Sequence, residues 1–165
     1  MGSVTAERLR ELLDYDAETG LFRWRVHRAR GAKPGMVAGK PHRKGYTQIK
    51  VDGRLYYAHR LAWLHTFGRW PALEIDHING SKADNRLANL REVTRAQNSW
   101  NLQRAPRSNR TTGVLGVCVV PSRTKRFVAQ IAQHGKLRNL GRFTTVDAAS
   151  AAYQSAKAER DAQVA

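Results

Sequence analysis

The chain has 165 residues, with 29 Lys and Arg against 13 Asp and Glu; the resulting net charge of +16 points to a polyanion partner, most simply nucleic acid. That length allows one ordinary domain or two small ones, the 41% hydrophobic content excludes wholesale disorder, and the lone Cys118 excludes a disulfide framework or a zinc site of several thiolates. No apolar run approaches the roughly 20 residues of a membrane span, and the polar start (Glu7, Arg8, Arg10, Glu11) is no signal peptide, so the expected location is the cytoplasm.

Thr5 to Leu13 is predicted as a short helix, with Leu9, Leu12 and Leu13 on one side. Asp16 to Gly20 is a turn, and Leu21 to Val26 alternates apolar and basic residues like a strand. Residues 28–45, rich in Gly, Pro, Lys and Arg, form a basic loop. Tyr46 to Val51 and Leu55 to Ala58 flank Asp52-Gly53, a strong hairpin signal. His59 to Phe67 is a helix stopped by Gly68 and Pro71. Glu74 onward is a strand, then a loop of Asn, Asp and Gly, a return strand from Leu90 to Val93, and a helix. Thr94 followed by Gln97 is a capping box that opens this helix, so Asn98 lies just past its first turn and Asn101 one turn further on the same face. Leu102 to Thr112 is a polar stretch with Pro106. Three strands follow, Gly113–Val120, Arg126–Gln133 and Leu137–Phe143, then a helix from Val146 to Ala162 capped by Thr144 and packed through Val146, Ala149, Tyr153 and Ala156.

The charge is unevenly placed. Residues 1–75 carry a net +7, residues 76–105 only +2, and residues 106–165 again +7. Leu21 to Val51 holds nine Lys and Arg and no acid, and Pro106 to Thr144 holds eight and no acid. Ordinary solvated surfaces intersperse both signs. Two phosphate-gripping segments therefore flank a central block with other work. In the first segment the candidate contacts are Arg23, Arg25, Arg28, Arg30, Lys33, Lys40, Arg43 and Lys44.

That central block holds Glu74-Ile-Asp-His-Ile-Asn-Gly80, Asp84-Asn-Arg-Leu-Ala-Asn-Leu90 and Thr94-Arg-Ala-Gln-Asn98. Adjacent strand residues point to opposite faces, but at a strand end or bulge Asp76 and His77 can serve one cleft. An Asp carboxylate with Asn carboxamides suits a hard cation such as magnesium. A neutral imidazole with a pKa of about 6.5 can take a proton from water. Together these support phosphodiester hydrolysis.

Residues 59–101 resemble HNH homing-type endonucleases of the subgroup with Asn in place of the final His. The pattern H-R-L-A-W, I-D-H-I-N-G, D-N-R-L-A-N-L-R, T-x-x-Q-N carries the resemblance, with spacings of 12 from His77 to Asn89 and 22 from Asp76 to Asn98. It implies a ββα-metal unit around one divalent ion, magnesium with manganese as a substitute. By the same resemblance His77 is the general base, Asp76 and Asn98 the metal ligands, and Asn89 the residue that orients the His77 ring. The products implied are 5′-phosphate and 3′-hydroxyl ends. The block from L-L-D-Y-D-A-E-T-G-L-F-R-W through G-Y, V-D-G and H-R-L-A-W is similar to phage-borne members of the group. His59 opens a helix and is expected to pack or cap rather than to ligate.

Residues 107–160 resemble the plant APETALA2/ethylene-response-factor DNA-binding domain, through G-V-L-G-V, R-F-V-A-Q-I, L-G-R-F-T-T and A-A-S-A-A-Y. The resemblance implies a three-stranded sheet in the major groove with a helix behind it. Leu115, Cys118, Val120, Gln130, Ala132 and Asn139 stand where the plant domains use mainly Arg, Trp or Glu, so the plant sequence preference does not carry over. Arg123, Lys125, Arg126, Arg138 and Arg142 are the candidate phosphate contacts here.

The expected fold is α+β: a central ββα unit with N-terminal hairpin and helix elements, and a three-stranded antiparallel sheet on one helix. The expected division is 1–73 for DNA binding, 74–105 for the nuclease motif, 106–112 as a linker and 113–165 as the second DNA-binding domain. The expected function is metal-dependent cleavage of double-stranded DNA, with no membrane and no small-molecule cofactor. The alternative is a transcription-factor-like DNA binder with an inactive HNH unit. An RNA-binding protein is disfavoured, because neither module carries an RNA-recognition signature.

Overall fold

Thr5 starts the first helix, α1 (Ala6–Leu12), by accepting the Arg8 amide on its hydroxyl, which satisfies an otherwise orphaned donor. This and all that follows is seen in a computed structural model that describes residues 3–28, 32–100, 109–124, 126–133 and 136–162. The helix expected through Leu13 ends one residue earlier. Leu13 instead begins a strand, β1 (Leu13–Asp16), antiparallel to β2 (Leu21–Trp24). Two Asp in four residues concealed β1, since Asp is depleted in strands. Asp16 then makes the turn, its Oδ1 accepting the amides of Glu18 and Thr19.

The basic loop supplies a short strand of its own, β3 (Lys40–Pro41), on the edge of a sheet with β4 (Thr47–Val51) and β5 (Arg54–Tyr57). Asp52 and Gly53 both take positive φ, 45° and 84°, as the tight hairpin between β4 and β5 requires. The helix α2 (Ala58–Phe67) follows directly and ends on Gly68 in the left-handed region. Next come the antiparallel pair β6 (Glu74–His77) and β7 (Leu90–Val93), then α3 (Arg95–Trp100). Leu9, Leu13, Phe22, Ile49 and Leu61 form one core with Ile75 and Leu90, so the β6–β7 hairpin shares its interior with residues 1–73. The chain divides at this level into two units, Met1–Asn101 and Leu102–Ala165.

The second unit is a three-stranded antiparallel sheet, β8 (Val117–Val119), β9 (Phe127–Gln133) and β10 (Lys136–Phe143), in the order β10-β9-β8. Helix α4 (Val146–Ala162) covers one face, setting Ala149, Tyr153 and Ala156 on Val117, Ala129 and Ile131. Small alanines let the helix approach closely, as their spacing predicts. Strand β8 is shorter than expected because Gly113 and Gly116 take φ of 64° and 72° and turn the chain before it. The cap of α4 is Thr145, not Thr144: its Oγ1 accepts the Ala148 amide at 3.2 Å. Of the expected linker, Asn109 and Thr112 are folded into this unit, Asn109 donating to the carbonyls of Val114 and Val117 and Thr112 to that of Val117. The mixed α+β class holds, with small sheets and four helices among the described residues. None of those helices is long and apolar enough to cross a membrane.

Candidate active site

The hairpin β6–β7 has a regular ladder, Asp76 opposite Arg91 and His77 opposite Leu90, with no bulge. His77 is the last residue of β6, where strict alternation ends, and the Asp76 charge is felt at its ring. Asp76 Oδ2 accepts from Arg91 Nε at 3.1 Å and from Nη2 at 3.0 Å, and both side chains are nearly buried. On the same face, two residues back, Glu74 Oε2 accepts from Asn98 Nδ2 at 2.6 Å. Asn98 is there because the capping box forms as its sequence dictates: Thr94 Oγ1 accepts the Gln97 amide and Gln97 Oε1 accepts the Thr94 amide.

His77 lies in a group of rings. His59 meets it edge-on, with centroids 5.0 Å apart and planes at 79°. Tyr46 lies 6.0 Å from His77 and 5.3 Å from His59, and Tyr57 stacks on His59 at 5.6 Å. Lys82 extends over the Tyr46 ring at 5.0 Å. His77 Nε2 lies 3.4 Å from Asn85 Oδ1. Burial lowers the His77 pKa, and the contact with Asn85 and the nearby charge of Asp76 offset this in part, so the ring is neutral at pH 7. His59 is packed as expected, and deeper: burial pushes it down to about 3, and its Nδ1 has no hydrogen-bond partner among the described residues.

The loop between β6 and β7 is tied from within. Asn89 Oδ1 accepts the Asn79 amide at 3.0 Å, and its Nδ2 donates to the Asp84 carbonyl at 2.8 Å. Asp84 receives Asn79 and Arg86, whose guanidinium holds its carboxyl far below the usual range. Gly20 packs beneath this loop with φ 73°, where a Cβ would strike the backbone of Asn85 and Arg86. Asn89 thus holds the loop that presents Asn85, and Asn85 is the amide that meets the His77 ring.

The structure brings Asp76, His77, Asn89 and Asn98 to one hairpin and its following helix. Arg91, Glu74, Asn85, Tyr46 and His59 complete the surroundings and were missed as partners. The pairing of Asp76 with Arg91 is legible by counting the hairpin register; the rings about His77 come from the residue before β4, the end of β5 and α2, and leave no local signal. Among the basic candidates, Arg23 donates to the Gly35 carbonyl, Arg25 pairs with Asp14, and Arg28 sits over the Trp24 ring. Lys33, Lys40, Arg43, Lys44, Arg123, Arg126, Arg138 and Arg142 are exposed. Arg30, Lys125 and Asn101 lie outside the described residues.

Residues 56–100, from the end of β5 through α3, match a family model described as HNH endonuclease. That domain supports a nuclease, a hydrolase acting on DNA, of a kind that generally uses a divalent metal ion. No curated protein and no solved structure matches the chain.

Proposed function

We propose that the chain is a metal-dependent endonuclease that hydrolyses phosphodiester bonds in double-stranded DNA. His77 is its general base, and one divalent ion, magnesium with manganese as a substitute, is held by Asp76 and Asn98. The carrying observation is a buried neutral imidazole one residue from a buried carboxylate, inside the segment that matches the nuclease family.

The donor set fits a hard cation. Among the described residues no three His, Cys, Asp or Glu converge as a metal cage. Magnesium does not require one, since it keeps waters and substrate phosphate oxygens beside one or two protein carboxylates. With the Asn98 amide nitrogen donating to Glu74, its Oδ1 is the atom that would hold a cation. Such an ion neutralises charge that grows on the phosphate and on the leaving oxygen.

The protein's own residues supply the proton transfer. In the tautomer that donates Nε2–H to Asn85 Oδ1, the His77 lone pair sits on Nδ1, and that atom takes the proton of the attacking water. Asn89 acts on the ring through the loop, fixing Asp84 and hence Asn85. Arg91 holds the Asp76 carboxylate in place. The basic loop of the first unit grips the duplex, and the exposed arginines of the second unit bind DNA as in the resembling plant domains. One such site cuts one strand, so double-strand cleavage takes two copies or two visits.

Supercoiled plasmid incubated with magnesium or manganese tests the reading. Relaxed product is expected, abolished by EDTA and by His77→Ala or Asp76→Ala. Binding without relaxation under any metal would favour a DNA binder with an inactive nuclease unit, and full activity in His77→Ala would remove the assigned base.

A further inference from the structure

The outward face of the β3-β4-β5 sheet carries a groove of about 430 Å³ that the reaction at His77 does not use. Clefts that take small ligands span roughly 300–1,000 Å³. Trp24, Val37, Pro41 and Leu55 make its apolar floor, and Lys40 and Lys50 line it with positive charge. Leu55 is 63% exposed and Val37 51%, an unusual placement for large apolar side chains beside one another. Arg28, held 4.7 Å over the Trp24 ring, adds a further cation beside the floor. No acidic residue lines the groove, and the segment Leu21–Val51, which supplies all of it except Leu55, contains none. An apolar, partly aromatic floor with lysines at its side and no acid fits a ligand that is flat, apolar and attached to an anion.

The groove shares its sheet face with Tyr57, one of the rings near His77. Lys40 pairs with Gln48 and Gln48 with Tyr57, while Lys50 pairs with Leu55, so these side chains share one face of the sheet. Tyr57 then stacks on His59, which meets His77. Successive side chains on a strand face are only about 7 Å apart. A nucleic-acid strand passing His77 therefore reaches the groove within a few nucleotides.

We propose that the groove is a subsite for one unstacked nucleotide of the substrate strand, with its base on the Trp24–Leu55 floor and its phosphates on Lys40 and Lys50. The proposal rests on the reading of the chain as a nuclease acting at His77. A base inside an intact duplex is covered on both faces and cannot enter. The subsite thus selects DNA that is nicked, single-stranded or opened beside the cut, and it draws an unstacked base out of a duplex only at the cost of that opening.

The test is binding of a short fluorescent single strand and of the matching duplex, in EDTA so that no cutting occurs. Leu55→Glu, at an exposed position, puts a negative charge in the groove; Trp24→Leu removes the ring. Each is expected to weaken single-strand binding roughly tenfold, the scale of one lost base–aromatic contact, and duplex binding about twofold or less. An iodouracil-substituted single strand is expected to crosslink to Trp24. Trp24 also touches the core, so its variant counts only if its urea midpoint matches the wild type; Leu55→Glu and the crosslink stand without it. Equal losses for both DNA forms, unchanged single-strand binding in Leu55→Glu, or crosslinks elsewhere would overturn the subsite. Plasmid relaxation by the wild-type chain with magnesium is scored separately. Its absence sinks the nuclease reading, whereas its presence without the single-strand effect sinks the subsite alone.

Discussion

His59 makes the folded N-terminal unit sensitive to acid in a way that can be calculated. Its ring is 7% exposed, and burial, followed by the neighbouring His77 and Arg60, pushes its pKa from 6.5 down to about 3. As pH falls through 6.5 the unfolded chain takes up a proton at His59, while the folded chain stays neutral there until about pH 3. The contribution is therefore intact above pH 6.5 and is lost progressively between 6.5 and 3. From pH 7 to pH 4.5 this one ring removes about 2.5 kcal/mol, each full pH unit below 6.5 being worth about 1.4 kcal/mol. Against a total stability of roughly 5–15 kcal/mol that is a large share. The measurement is urea unfolding followed by tryptophan fluorescence. All four tryptophans (Trp24, Trp63, Trp70 and Trp100) lie within Met1–Asn101, so the signal reports this unit alone. His59→Phe keeps a ring against Tyr57 and Tyr46 and removes the titration, and the carboxylates common to both proteins drop out of the comparison. Over that pH interval the variant should lose about 2–3 kcal/mol less than the wild type. Parallel pH profiles for the two proteins would refute the reasoning, because they would mean that the folded interior accepts the charged ring.

Three further outcomes follow from particular contacts. Arg91→Met leaves the Asp76 carboxylate buried without its cation and should cost about 3–5 kcal/mol in the same unfolding assay, with Arg91→Lys losing less; a cost under about 1 kcal/mol would contradict the burial of the pair. Asn89→Asp sets an oxygen against the Asp84 carbonyl in place of a donor and should cost about 1–3 kcal/mol, with faster hydrogen exchange at the Asn79 amide as its local mark. Gly116→Ala drives a methyl group into the Tyr153 ring, on top of the roughly 1–2 kcal/mol of a left-handed backbone. It should lower the unfolding midpoint of the second unit by circular dichroism and leave the tryptophan-detected transition where it was.

What the sequence discloses depends on how local the cause is. The Asp52-Gly53 turn, the Thr94–Gln97 capping box and the alanine face of α4 are each encoded within a few residues, and each forms as written. Strand β1 is hidden because its register with β2, not its own composition, makes Leu13 to Asp16 extended. The candidate site divides the same way. Asp76, His77, Asn89 and Asn98 are found by spacing along one hairpin and helix. The edge-on His59, the Tyr46 ring and the Tyr57 ring are brought together by the residue before β4, the end of β5 and α2, without a repeating pattern. Arg91 lies between the two cases, readable from hairpin pairing once the strand ends are known. Thr145 displaces Thr144 as a cap because either threonine satisfies the local pattern and only the helix start distinguishes them.

The internally laced loop 78–89 has a consequence for how this sequence can drift. Ile75 and Leu90 anchor the hairpin in the core, so a deletion or insertion of one residue between His77 and Leu90 would shift β7 by one step against β6. Asp76 would then face Leu90 or Glu92 instead of Arg91, and α3, which follows β7 directly, would be carried along, taking Asn98 away from Glu74. Individual side chains within the loop can be exchanged at the expense of a hydrogen bond or two. Its length cannot change, because the loop is the ruler that sets β7 and α3 in register with β6.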